Sequence, residues 1–133
     1  MTFVNALPLI SGMRVLEIGC GPGVAAREIA SRIGDGFVLA IDRSDKAIAT
    51  AKRQSAAEID AGRLEFRASA IEAFKLSSGD TPFDLCFAMR VGVFDGRHPE
   101  IEAEALARVK ASLNPGGRFF IDTGNPLREL LCS

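Results

Sequence analysis

Two rhythms of apolar residues alternate along this chain. Short, nearly continuous runs at 14–18, 37–41, 64–68, 83–89 and 118–122 read as strands, and the run Phe37-Val38-Leu39-Ala40-Ile41 has the composition of a parallel strand covered on both faces. Between them the spacing turns helical. Val24, Ala25, Ile29 and Ile33 share one side of a helix over 24–33. Ile48, Ala51, Ser55 and Ile59 do the same after Ser44, a suitable N-cap, with Lys46, Lys52, Arg53 and Glu58 turned to solvent. Pro99 opens a final helix in which Ile101, Ala105, Val109 and Leu113 fall four apart. Its early Glu100, Glu102 and Glu104 and later Arg108 and Lys110 complement the helix dipole. The stretch from Ile71 to Phe74 is weakly helical, with Ser69 a candidate cap. Gly34-Asp35-Gly36, the polar 77–82 segment and Asn114-Pro115-Gly116-Gly117 act as stops.

Strands alternating with helices predict an α/β fold with a doubly wound, mostly parallel sheet of five strands and helices on both faces. Ligands of such sheets lie at the carboxyl ends of the strands, near the switch point. The length of 133 residues with 47% hydrophobic content suits one domain, 1–133, with a real core. A net charge of −1 provides no field to gather nucleic acid or an anionic membrane. Nine Phe without Trp or Tyr, and without an interleaved basic stretch, offer no base-stacking platform. Cys20, Cys86 and Cys132 are widely spaced and outside any CxxC pair, so neither a disulfide framework nor a metal site is expected. The N-terminus lacks a basic leader and no run nears the ~20 apolar residues of a membrane span. A soluble, cytoplasmic protein with no membrane partner is the expectation.

The chemistry concentrates in Glu17-Ile18-Gly19-Cys20-Gly21-Pro22-Gly23, where a strand carrying an acid meets glycines at alternate positions. Such glycines permit positive φ and close approach of a ligand to the backbone. Asp42 follows Gly21 by 21 residues, the distance for a carboxylate that accepts hydrogen bonds from ribose hydroxyls. Dinucleotides and S-adenosylmethionine both fit a loop and acid of this kind. Gly21-Pro22-Gly23-Val24-Ala25-Ala26 formally matches G-x-G-x-x-A, and Arg43 reads as a weak partner for a 2′-phosphate. Against a dinucleotide, Pro22 removes an N–H donor, and Glu17 sets a negative charge beside the place of a pyrophosphate. That charge is well placed for an ammonium or sulfonium.

The chain resembles the class I S-adenosylmethionine-dependent methyltransferases. Glu17 to Gly23 resembles their E/D-x-G-x-G-x-G signature, Leu113-Asn114-Pro115-Gly116-Gly117 their L-x-P-G-G turn, and Phe83-Asp84-Leu85 their F-D-x-V/L segment. The resemblance implies a Rossmann-like sheet of order 3-2-1-4-5 and S-adenosylmethionine as cofactor. It implies that Gly19, Gly21 and Gly23 carry backbone contacts, that Glu17 supports the amino-acid end and that Asp42 holds the ribose. Cys20, Arg43, Ser69, Ala70 and Met89 are grouped with them as cofactor-binding. Where many members have an Asp-Ala pair beside adenine, this chain has Ser69-Ala70, and a hydroxyl is the weaker acceptor.

Methyl transfer needs chiefly positioning and exclusion of water. The acceptor is expected near 90–99, with His98 as a candidate base and Arg90 or Arg97 as partners for an anionic substrate. The segment lacks the N/D-P-P-Y/F motif of amino methyltransferases, which favours a small-molecule acceptor. Family members continue past the fifth strand with a helix and a hairpin, whereas 123–133 remain here. The apolar Phe119-Phe120-Ile121 edge would then need a homodimer, a partner, or a cap from Pro126 to Leu131. A non-catalytic S-adenosylmethionine-binding module is the alternative function, and a truncated nicotinamide-dependent reductase the third.

Overall fold

The computed structural model describes residues 2–77, 79–89, 91–94, 97–124 and 126–130. A short helix α1 (Thr2–Ala6) precedes β1 (Arg14–Ile18), α2 (Val24–Arg32), β2 (Phe37–Asp42), α3 (Asp45–Gln54), α4 (Ala56–Asp60) and β3 (Leu64–Ala68). The chain continues through β4 (Phe83–Ala88), α5 (Pro99–Ser112), β5 (Leu113–Ile121) and β6 (Arg128–Leu130). Single 3-10 turns span Ile71–Ala73 and Gly92–Phe94. The sheet runs β3-β2-β1-β4-β5-β6, so the expected order holds with a sixth strand added. All pairings are parallel except that of β6.

Side chains alternate between two cores, as the pleat demands. Val15, Val38, Ala40, Leu85 and Phe87 pack beneath α1, α2 and α3, where Phe3 meets Phe87 with ring centroids 5.7 Å apart. Leu16, Ile18, Leu39, Ile41, Cys86 and Phe119 face α5 and the two 3-10 turns. Burial of each such side chain contributes about 1.5–3 kcal/mol. The alternation also fixes that Glu17 projects on the Val15 face.

Four differences from the sequence expectation have identifiable causes. The second long helix breaks after Gln54, because the fully buried Ser55 leaves helical geometry and its hydroxyl accepts a hydrogen bond from Arg27 Nη1 at 3.0 Å. Ser44 caps α3 as expected, accepting from the Ala47 N–H at 3.1 Å. Ser69 does not cap the short turn at Ile71: Ala70 precedes that turn, and the Ser69 hydroxyl donates to the Ala70 carbonyl at 3.0 Å. Val24 and Ile101, assigned to buried helix faces by their spacing, are 52% and 39% exposed, since each opens its helix beside a cleft. Last, β6 pairs antiparallel with Phe119–Ile121 and covers the edge expected to be bare. Arg118 forks onto Glu129 across that pair at 2.8 and 2.9 Å. Of the ways foreseen to protect this edge, the chain's own tail supplies one within residues 128–130, while Leu131 to Ser133 lie outside the described residues.

The foot of the sheet, opposite the carboxyl ends of the strands, is tied by Asp84. One carboxylate oxygen accepts from the Arg14 backbone N–H at 2.8 Å and the other from Asn114 Nδ2 at 3.0 Å. Asn114 to Gly117 bulge out opposite Asp84, which lets β5 begin at Leu113 rather than after the glycines. The Arg14 guanidinium lies over Phe37 and Phe83, 4.9 and 5.2 Å from their centroids. Replacing Asp84 by Ala strips two donors of a charged acceptor, so a loss of about 1.5–3 kcal/mol is expected in a urea melt. An unchanged midpoint would show that the tie is idle.

Candidate functional site

In this strand order β1 lies between β2 and β4, and their carboxyl ends open a cleft of about 870 Å3. The glycine loop forms one wall. Its N–H groups are already used: those of Gly19 and Cys20 donate to the Ile41 carbonyl at 2.8 and 3.1 Å, and that of Gly23 to the Cys20 carbonyl at 3.0 Å. The Gly21 N–H donates to Asp42 Oδ2 at 2.9 Å, and Pro22 has none. Arg27 Nη1 holds the Pro22 carbonyl at 2.9 Å from behind. Every N–H from Gly19 to Gly23 is thus already used, and the carboxylates of Glu17 and Asp42 stand beside the loop.

The glycines take positive φ as expected. At Gly19, with φ 77°, a Cβ would lie 2.6 Å from Val91 Cγ2, so only hydrogen lets the loop press against the segment after β4. At Gly23, with φ 88°, a Cβ would meet the Phe66 ring at 2.9 Å.

Glu17 is the electrostatic centre. It is 2% exposed, lines the cleft, and its Oε1 has no hydrogen-bond partner. Burial first, and the charge of Asp42 second, push its pKa up to about 8. A buried carboxyl that lines a ligand cleft and carries an unsatisfied oxygen fits an ammonium donor. Cys20 Sγ donates weakly to the Gly21 carbonyl at 3.6 Å. Burial, then Glu17 and Asp42, raise its pKa, which makes it an inert wall rather than a nucleophile.

Asp42 sits at the tip of β2, its second oxygen accepting from the Ser44 N–H at 2.9 Å. Two carboxylate oxygens offer about four acceptor positions, so a vicinal diol can still be held there. Arg43 beside it is well exposed and pairs with Glu72 at 2.9 Å. Ser69, Ala70 and Met89 complete the row, and all of these residues line the cleft, whereas Gly23 shapes the loop from outside it. His98 lines the far rim at the start of α5, next to Arg97. Arg90 lies outside the described residues.

Sequence reasoning missed Val24, Ile71, Glu72, Val91, Val93 and Ile101 as lining residues. Helical spacing marks Val24 and Ile101 as core and says nothing of a cleft at a helix start. Val91 and Val93 lie in the segment chosen for the acceptor, but only the fold shows that both line the cleft and that Val91 meets the glycine loop. A cleft whose lining brings the buried carboxyl of Glu17 and the carboxylate of Asp42 together fits a cationic ligand bearing hydroxyls, which are the features of S-adenosylmethionine.

Comparison with known proteins agrees. The family described as a methyltransferase domain matches residues 9–133. The O-methyltransferase rstn1 of Aspergillus nomiae is 31% identical over 130 residues, 94% of this chain and 55% of that protein. A ubiquinone biosynthesis O-methyltransferase of Xylella fastidiosa is 34% identical over 128 residues, 94% of this chain and 47% of its own length. The structure of PKMT2 from Rickettsia typhi in complex with AdoHcy superposes with a TM-score of 0.70 at 27% identity, over 86% of this chain and 21% of that one. The chain thus spans about half the length of the curated relatives it matches. With its glycine loop, its acid pair and its sheet order, it belongs to the class I S-adenosylmethionine-dependent methyltransferases.

Proposed function

We propose that this domain binds S-adenosylmethionine in the cleft and directs its methyl group to a hydroxyl of a small-molecule acceptor. The carrying observation is Glu17, a buried carboxyl in the cleft lining with an unpartnered oxygen, beside a loop whose N–H groups from Gly19 to Gly23 are all used. Oxygen as the acceptor atom follows the names of the relatives. When bound, the cofactor would supply an electrophilic methyl on sulfur for transfer to the acceptor oxygen. Glu17 holds the ammonium and Asp42 the ribose diol. Ser69 and Ala70 border the adenine, while Ile71, Met89 and Val91 exclude water. His98, on the cleft rim, receives the acceptor's proton.

The test is calorimetric titration with S-adenosylmethionine, S-adenosylhomocysteine and NADH side by side. Binding of the two sulfur ligands alone is expected, and NADH binding would overturn the reading. A non-catalytic module, the alternative, would bind both and methylate nothing in an acceptor screen. No helix among the described residues is long and apolar enough to cross a membrane. With β6 covering β5, a homodimer would use another surface.

A further inference from the structure

An arginine stands behind the glycine loop, outside the lining of the cleft. Arg27 lies one turn into α2, and helical side chains lean toward the N-terminus of their helix, so its guanidinium reaches back to the loop. Nη1 carries two N–H groups and reaches two neutral oxygens, the Pro22 carbonyl at 2.9 Å and the Ser55 hydroxyl at 3.0 Å. This is a costly place for a cation. The N-terminal end of a helix disfavours positive charge, and the first turn of α2 holds no acid to offset it. A residue kept against its local electrostatics points to a use elsewhere.

Planarity of the peptide group gives Arg27 its leverage. The Pro22 carbonyl and the Gly23 N–H belong to one peptide plane and point opposite ways. Arg27 grips the carbonyl from one side. From the other, the Gly23 N–H donates to the Cys20 carbonyl at 3.0 Å, and the Cys20 N–H donates to Ile41 of β2 at 3.1 Å. Ser55, fully buried at the break between α3 and α4, anchors the arginine itself. The loop is thus clamped between β2 and the α3–α4 junction. Gly23 is what admits the guanidinium, since a Cβ there would lie 3.1 Å from Nη1 as well as 2.9 Å from Phe66. We infer that Arg27 is a positioning residue which, with Ser55, holds the glycine loop in its binding shape. Neither side chain lines the cleft. The clamp is a property of the empty protein, whereas its effect on the cofactor rests on the reading that S-adenosylmethionine occupies the cleft.

The experiment pairs calorimetry of S-adenosylhomocysteine with amide NMR spectra of the ligand-free protein, for Arg27→Met, Ser55→Ala and the double variant, well below their melting transitions. There a residue that merely stabilises the fold leaves affinity unchanged. Arg27→Met is expected to weaken S-adenosylhomocysteine roughly tenfold, Ser55→Ala by less, and the double variant no more than Arg27→Met alone, because both act through one hydrogen-bonded unit. Without ligand, each single variant is expected to move the Gly21 and Gly23 amide signals and to leave those of Gly12 and Gly36, at the foot of the sheet, still. Affinity of Arg27→Met within about twofold of the parent, losses that add in the double variant, or a Gly23 signal indifferent to Ser55→Ala would each overturn the clamp. If Arg27→Met does not fold, Ser55→Ala carries both readouts. A parent that binds no S-adenosylhomocysteine would instead sink the cofactor reading, with the clamp still decided by the amide signals.

Discussion

Binding of S-adenosylhomocysteine should strengthen by roughly tenfold per pH unit between about pH 6 and pH 8, because it requires Glu17 to lose a proton. In the free protein the Glu17 pKa stands at about 8, so the carboxyl is neutral through most of this window. An ammonium at hydrogen-bonding distance lowers a carboxyl pKa by about 1–3 units, and binding therefore releases a proton there. Above pH 8 the gain ends, since Glu17 is then already ionised in the free protein. Calorimetry in buffers of different ionisation enthalpy reads the proton directly. Glu17→Gln should bind weakly at every pH, with no proton released. A flat affinity profile for the parent would detach Glu17 from the ligand.

The same carboxyl burdens the empty fold. Its pKa is raised from 4.5 to about 8, so the folded chain holds a proton that the unfolded chain has given up. Stability contributed by the neutral form is complete below pH 4.5 and declines as pH climbs through 8, by at most about 5 kcal/mol. Glu17→Gln is expected to melt several degrees higher than the parent at pH 8 and alongside it at pH 4.5. The opposite order at pH 8 would show that Glu17 is paired in solution.

Asp42→Ala should weaken the sulfur ligands roughly ten- to a hundredfold, the effect of losing charged hydrogen bonds of about 1.5–3 kcal/mol. The structure adds a second consequence. Asp42 also raises the Glu17 pKa, so its removal shifts the pH midpoint of binding downward. Because Asp42 accepts from the Gly21 N–H, Asp42→Asn separates shape from charge: it keeps the bulk and loses the shift. Unchanged affinity in the Ala variant would remove Asp42 from the site.

Much of this site is written in short range. Glu17, the three glycines and Asp42 belong to one strand-loop-helix-strand unit, and their chemistry follows from spacing. What escaped was set by distant partners. Ser55 ends a helix because Arg27 reaches it, and Arg27 is a residue that local pattern treats as solvated surface. Strand β6 is a short polar segment with no period of its own, and exists because Phe119–Ile121 offers it a ladder. The Val91 wall depends on Gly19, which brings two loops together across the sheet.

Among the described residues, both margins of the sheet are short strands that carry opposite charges, Glu65 and Arg67 on β3 and Arg128 and Glu129 on β6. A strand from another molecule would meet these charges before finding backbone to pair with, so neither margin is a template for fibril growth. Beneath β6, however, lies Phe119-Phe120-Ile121, uncharged, rich in β-formers and free of proline. Three residues of outer strand thus separate a well-behaved domain from one whose exposed ladder would recruit its own copies.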